Sequence, residues 1–242
     1  MDQQLGDQQL REHVRSLRSR GLTTNAIARE LGVARGRIAP LVRELARERT
    51  PRTQTGKLVG CWVSAGWSVG LAVPEERGWP DRAEHGHEGT GLAGVLVARE
   101  HLGAGGEVSV CGYLVDTYCL GVKDALGPRI TSRRGLERFA SRFYEPFDGG
   151  RVEAPVELAR HLVWGAVAYA FELGFEPHRD LWPAAGHLEA LEGRGDIGFG
   201  LHGKPYFISG HFDDVEGILR TLEGSVGLDN AHFTLSGPLE LA

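Results

Sequence analysis

Apolar residues recur at helical spacing through the first fifty positions. Leu10, Val14 and Leu17 mark a helix that ends before Gly21. Ile27 and Leu31 give a second helix an apolar stripe, and Ile38, Leu41, Val42 and Leu45 give one to a third. Ala28 stands where the second helix must be small for the third to pack close. Gly32, four residues on, stands where a tight turn needs a left-handed backbone, which glycine adopts at least steric cost. Ile38 would pack back between the helices. Residues 21–45 therefore predict a helix-turn-helix, the module whose last helix enters the major groove of DNA.

The pattern then changes. Residues 48–57 are polar and carry Pro51, with no apolar period, and read as a linker. The organisation expected is a head over 1–49, a linker over 50–57 and a larger domain over 58–242. Leu58–Ser64 and residues 68–73 read as short strands. Residues 94–99 and 107–115 read as a hairpin joined by the glycine-rich turn 102–106, with Val108, Val110 and Leu114 alternating against Ser109, Cys111 and Tyr113. Pro155 opens a long helix to Leu173, with Leu158, Leu162, Val163, Val167, Ala170 and Phe171 inward, and Gly174 ends it. Residues 199–201 and 206–209 suggest a second hairpin closed by His202-Gly203. Asp214 caps a helix carrying Val215, Ile218, Leu219 and Leu222, and 232–236 looks like a final strand. The fold class expected is α+β, a small all-α head followed by a sheet covered by helices on one face. Residues 73–90, polar and rich in proline and glycine, read as a long surface loop and a candidate mobile element.

Charge separates the same two parts. Residues 1–57 hold 12 Lys and Arg against 6 Asp and Glu, a net of +6; the remainder holds 15 against 26, a net of −11. A basic head on an acidic body fits a nucleic-acid-binding module joined to something else. Thr24 and Asn25 open the second helix. With Arg35, Arg37, Arg43 and Arg47 of the third, they are the candidate nucleic-acid-binding residues. Arginine suits both base edges and phosphates. Pro40 lies inside the third helix, where it removes a bond to the Gly36 carbonyl. The helix is then either kinked or starts later, with Arg35 and Arg37 on a loop. The competing view is a helical unit that docks on its own acidic partner domain; a protein partner or self-association is the other contact expected.

No apolar run approaches the roughly 18 residues of a membrane span, and the first ten residues lack a signal pattern. Cys61, Cys111 and Cys119 are an odd set without tight spacing, which argues for a reducing, cytoplasmic setting. Lysine is scarce, three against 24 arginines. Two of the three, Lys123 and Lys204, fall in the most motif-like segments of the larger domain.

Those segments carry a resemblance. Residues 112–124, GYLVDTYCLGVKD, together with 173–180, LGFEPHRD, and 203–210, GKPYFISG, resemble an uncharacterised bacterial family whose members often carry a helix-turn-helix head. The resemblance covers most of the chain and implies no activity and no catalytic residues.

Three chemistries remain for the larger domain. Residues 66–70, GWSVG, match the G-x-S-x-G elbow that would expose Ser68 as a nucleophile, although the segment after it is a polar loop rather than a helix. Asp116, Lys123, Asp124, His178, Asp180 and Lys204 are catalytic candidates. Asp116, His178, Asp180, His211 and Asp213 are candidates for a divalent metal that would act on a phosphate ester. Each also has a plain role as cap, turn residue or ion-pair partner. His85 and His87 could chelate only loosely across the glycine between them. The third reading is ligand sensing or protein interaction without chemistry, with Trp79 and Trp182 beside prolines as surface candidates and Trp164 in the core. The whole chain reads best as a DNA-binding regulatory protein with no required cofactor, and the alternative is a metal-dependent phosphoesterase.

Overall fold

In the computed structural model the described residues are 6–19, 22, 24–49, 56–82, 90–103, 105–191 and 195–235, and the side chains of 19, 43 and 46–49 lie outside that description. The chain divides into two compact units, residues 1–50 and 51–242.

The first unit is three helices: α1 (Asp7–Ser19), α2 (Thr24–Leu31) and α3 (Arg35–Arg49). Its buried apolar residues are Leu10, Val14 and Leu17 of α1, Ile27 and Ala28 of α2, and Ile38, Ala39, Val42 and Leu45 of α3. The helical spacing read in the sequence is thus the spacing of the core. Gly32, at φ +62°, closes α2. Its N–H bonds the Arg29 carbonyl at 3.3 Å and the Val33 N–H bonds the Ala28 carbonyl at 3.0 Å. This pair of bonds satisfies the last carbonyls of α2 and turns the chain sharply. α3 begins at Arg35 and continues through Pro40, so Arg35 and Arg37 lie on the first turn of a helix and not on a loop.

The second unit is α+β. Its sheet is wholly antiparallel with strand order β4-β3-β2-β1-β5, built from β1 (Leu58–Ser64), β2 (Leu92–Glu100), β3 (Val108–Asp116), β4 (Gly121–Thr131) and β5 (Arg151–Glu153). Val95 faces Tyr113 across the central pair and Leu96 faces Gly112. Helix α4 (Arg133–Tyr144) packs Leu136, Ala140 and Tyr144 on Leu96, Ala98, Val108 and Val110. On the other face, the Tyr113 hydroxyl donates to the Ala184 carbonyl at 2.6 Å, in the short helix α6 (Leu181–Ala184). Gly121 lies against Ala166 and Ala170 of α5 (Val156–Leu173) on that face. Helices therefore cover both faces, not one. β2 shows why: from Ala93 to Ala98 every residue is apolar or glycine, and from Ala93 to Arg99 every residue is buried, the signature of a strand sandwiched on both sides.

Beyond the sheet, α7 (Val215–Ser225) connects β6 (Tyr206–Ile208) to β7 (His232–Thr234), which pair in parallel. The Asp214 side chain caps α7 by accepting from the Gly217 N–H at 3.1 Å. Gly174, at φ +100°, ends α5 as its position predicts.

Two predicted strands are otherwise. Residues 68–73 form turns with one bridge, Ala72 to Gly198. The pairing of 199–201 with 206–209 reduces to one bridge, Leu201 to Lys204, because β6 takes β7 as its partner instead. The described part of the long loop, up to residue 82, is tied down. The Asp81 carboxylate accepts from the N–H groups of Gly66 and Ser68 at 2.7 and 3.0 Å. The Trp79 ring packs at 5.1 Å from the His161 ring, and the Arg77 guanidinium lies 5.4 Å from its centroid. Among the described residues, no helix is long and apolar enough to cross a membrane.

Candidate functional site

The head presents part of its predicted surface. Arg37 is exposed on the first turn of α3, and its guanidinium meets Asp7 at 3.1 Å. Arg35 and Asn25 are half-exposed. Thr24 is 1% exposed and packs into the head, so its side chain is unavailable to a phosphate. The side chains of Arg43 and Arg47 lie outside the described residues.

In the larger unit, the motif-like run 116–123 is a structural junction. The Asp116 carboxylate is buried and accepts from the N–H groups of Tyr118 and Cys119, both at 2.9 Å. The Thr117 hydroxyl donates to the Gly91 carbonyl at 2.9 Å, and the Tyr118 hydroxyl to the Val69 carbonyl at 2.7 Å. Tyr118 also stacks on Tyr206 at 6.1 Å. Lys123 pairs with Asp213 at 2.7 Å, and the same Asp213 oxygen accepts from the Gly210 N–H at 2.7 Å. This run thus pins the β3–β4 turn to four other segments. Burial raises the Asp116 carboxyl to about 6, against the opposing pull of the two N–H groups.

The candidate constellation does not assemble as a whole. Among the described residues, Asp124, His178 and Asp180 alone bring ligand atoms within 4.8 Å of one another. Asp116 caps a turn, Asp213 holds Lys123, and His211 lies against the ring of Phe212 at 4.8 Å. Lys204 sits exposed in the turn after Leu201. Asp124 stands on the edge strand β4. The chain passing it is braced by a bond from the His178 N–H to the Val122 carbonyl at 2.9 Å. His178 Nδ1 is a buried atom with no hydrogen-bond partner among the described residues, 3.6 Å from a carboxylate oxygen of Asp124 and of Asp180. One imidazole and two carboxylates suit a hard or borderline divalent cation. Lys123, at the register break between Val122 and Asp124, is engaged by Asp213 instead of joining the trio.

Two further candidates resolve into packing. The Ser68 hydroxyl donates to Asp81 at 2.6 Å, and the chain after it turns instead of forming the helix an elbow requires. Cys61, Cys111 and Cys119 are free and buried; burial pushes the first two thiols up to about 12, which leaves them unreactive near neutrality. Residues 83–89, with His85 and His87, lie outside the described residues. Trp164, placed in the core by its sequence, is half-exposed, with its indole N–H on the Glu189 carbonyl at 2.8 Å. Sequence reasoning did not single out Arg99. It is buried, donates to the His187 carbonyl at 2.8 Å and pairs with Glu189 at 3.1 Å. A charged residue near the end of an otherwise apolar strand is its only signal.

Compared with family models, with curated proteins and with solved structures, the chain has no match.

Proposed function

We propose that the protein is a DNA-binding regulatory protein, with the three-helix head contacting the duplex and the larger unit sensing a ligand or binding a partner. The observation that supports this reading is the junction of α2 and α3. The left-handed Gly32 and the backbone bonds from Gly32 and Val33 end α2 just before α3 starts, and Arg37 is exposed on the first turn of α3, where such helices reach base edges. The net charge of +6 on residues 1–57 supplies the attraction to phosphates. The Arg37–Asp7 pair is exposed, and such pairs are worth less than about 1 kcal/mol, so a phosphate can displace Asp7.

Fluorescence polarisation of the full-length protein with labelled duplex DNA, across a salt series, tests this. Binding is expected to weaken steeply as salt rises. The double variant Arg35→Ala/Arg37→Ala is expected to bind at least tenfold more weakly, with a shallower salt slope. Equal binding by the variant, or none by either protein at low salt, would overturn the reading and leave the head as a docking module.

The phosphoesterase alternative finds less support. It asks for Asp116, Asp124, His178, Asp180 and Asp213 at one centre, and two of the five are engaged elsewhere.

A further inference from the structure

The face of the sheet under α4 carries an unusual floor. Gly94 and Gly112 lie on the two central strands, and a Cβ at either would come within 2.9 Å of a ring carbon of Phe147 or Phe143. These two glycines let the rings lie close to the sheet. Phe143 and Phe147 sit 6.3 Å apart, tilted by 30°. Beside them opens a cavity of about 370 Å³, walled by Leu92, Leu114, Leu126 and Pro146 as well as the two rings. Leu92 and Leu126 are 40% and 44% exposed, and they face the cavity instead of a packed core.

Among the described residues, two polar residues line this cavity, Thr90 and Asp124, and no basic side chain does. One carboxylate oxygen of Asp124 accepts from the Ala125 N–H at 2.8 Å. The second makes no hydrogen bond or ion pair among the described residues. A single carboxylate on an aromatic and aliphatic wall is complementary to a cation with an apolar body. The carboxylate supplies the counter-charge, the phenyl faces attract an ammonium through their quadrupoles, and the aliphatic wall takes hydrocarbon. An anion would meet the Asp124 carboxylate, and among the described residues the cavity wall offers it no basic side chain; the nearest titratable nitrogen is His178 Nδ1, 3.6 Å from one Asp124 oxygen.

We propose that this cavity is a binding site for a small organic amine, its ammonium on Asp124 and its apolar body against Phe143, Phe147 and Leu126. The cavity volume lies in the range of sites for small organic ligands. The proposal stands on the larger unit alone and does not require the head to bind DNA.

Titration calorimetry on the full-length protein, in buffer with a chelator, tests it with four probes: phenethylammonium, n-hexylammonium, n-hexanol and hexanoate. The two amines are expected to bind with millimolar or better affinity, the alcohol at least fivefold more weakly, and hexanoate not measurably. Asp124→Asn is expected to weaken the amines about tenfold and leave the alcohol within twofold. Leu126→Gln, at a position 44% exposed on the edge strand, is expected to weaken amines and alcohol alike. Hexanoate binding as tightly as hexylammonium, unchanged amine affinity in Asp124→Asn, or no binding by either amine would overturn the proposal.

Discussion

Asp116→Ala is expected to lose about 2–4 kcal/mol of unfolding free energy at pH 7, whereas Asp116→Asn is expected to keep most of it. The carboxylate is buried and holds the N–H groups of Tyr118 and Cys119. Alanine leaves both unsatisfied, at about 1–3 kcal/mol each, and the loss of a buried charge offsets part of this. Asparagine keeps an acceptor of the same shape. The pH dependence separates the two effects. The folded carboxyl sits at about 6, above its ordinary 3.8, because burial disfavours the charge. The folded protein therefore binds this proton more tightly than the unfolded chain does. Through this group stability is lower above about pH 6, rises as pH falls, and is fully recovered below about 3.8. A shift of that size corresponds to about 3 kcal/mol. Denaturant titrations of wild type and Asp116→Asn between pH 4.5 and 7.5 should show a gap that changes by about 1–3 kcal/mol across the window. A constant gap, or an asparagine variant as unstable as alanine, would show that the carboxylate is not a buried turn cap.

Gly121→Ala should be about as damaging, at about 2–5 kcal/mol. Gly121 begins β4 at φ +71°, where a side chain costs roughly 1–2 kcal/mol. Its added Cβ would also meet the Ala170 Cβ at 2.7 Å and the Ala166 carbonyl oxygen at 3.0 Å, and overpacking adds about 1–3 kcal/mol. Gly32→Ala is the internal control. Gly32 has the same left-handed backbone, φ +62°, but nothing within 4 Å of an added Cβ. It should cost only the backbone part. Chemical denaturation measures both, and equal losses would refute the packing half of the argument.

Much of this fold is legible in the sequence where one periodicity runs unbroken. Ile27, Ile38 and Val42 fall in the head's core as their spacing requires, and α5 begins after Pro155 and ends at Gly174. β3 is readable as a strand, but not which of its faces is covered: Cys111 and Tyr113 are as buried as Val108 and Val110. β4 is not readable, because Gly127-Pro128 breaks its pattern and its second half is exposed. α4 does carry the helical period, in Leu136, Phe139, Ala140, Phe143 and Tyr144, yet it stands outside the elements expected from the sequence. The pairing of β6 with β7 joins segments 26 positions apart in parallel, which local turn signals cannot show.

The site is less legible. The string 116–124 is distinctive enough to suggest chemistry, and most of its polar groups are spent on holding the turn. Asp116, Lys123 and Asp213 each look catalytic by type, and each has a hydrogen-bond partner that gives it structural work. Asp124 and His178 are 54 residues apart in sequence, and only the path of the chain along β4 brings them together.

That path has another effect. An outer strand with free peptide groups invites a second molecule to extend the sheet. Here one carbonyl in the first half of β4, that of Val122, is taken by the His178 N–H, and its second half carries Pro128, which has no N–H to give, beside a break in register after Val110. At the opposite margin β5 is three residues long. Neither margin makes a usable template, so the sheet is built to stop at five strands and to resist stacking edge to edge into fibrils.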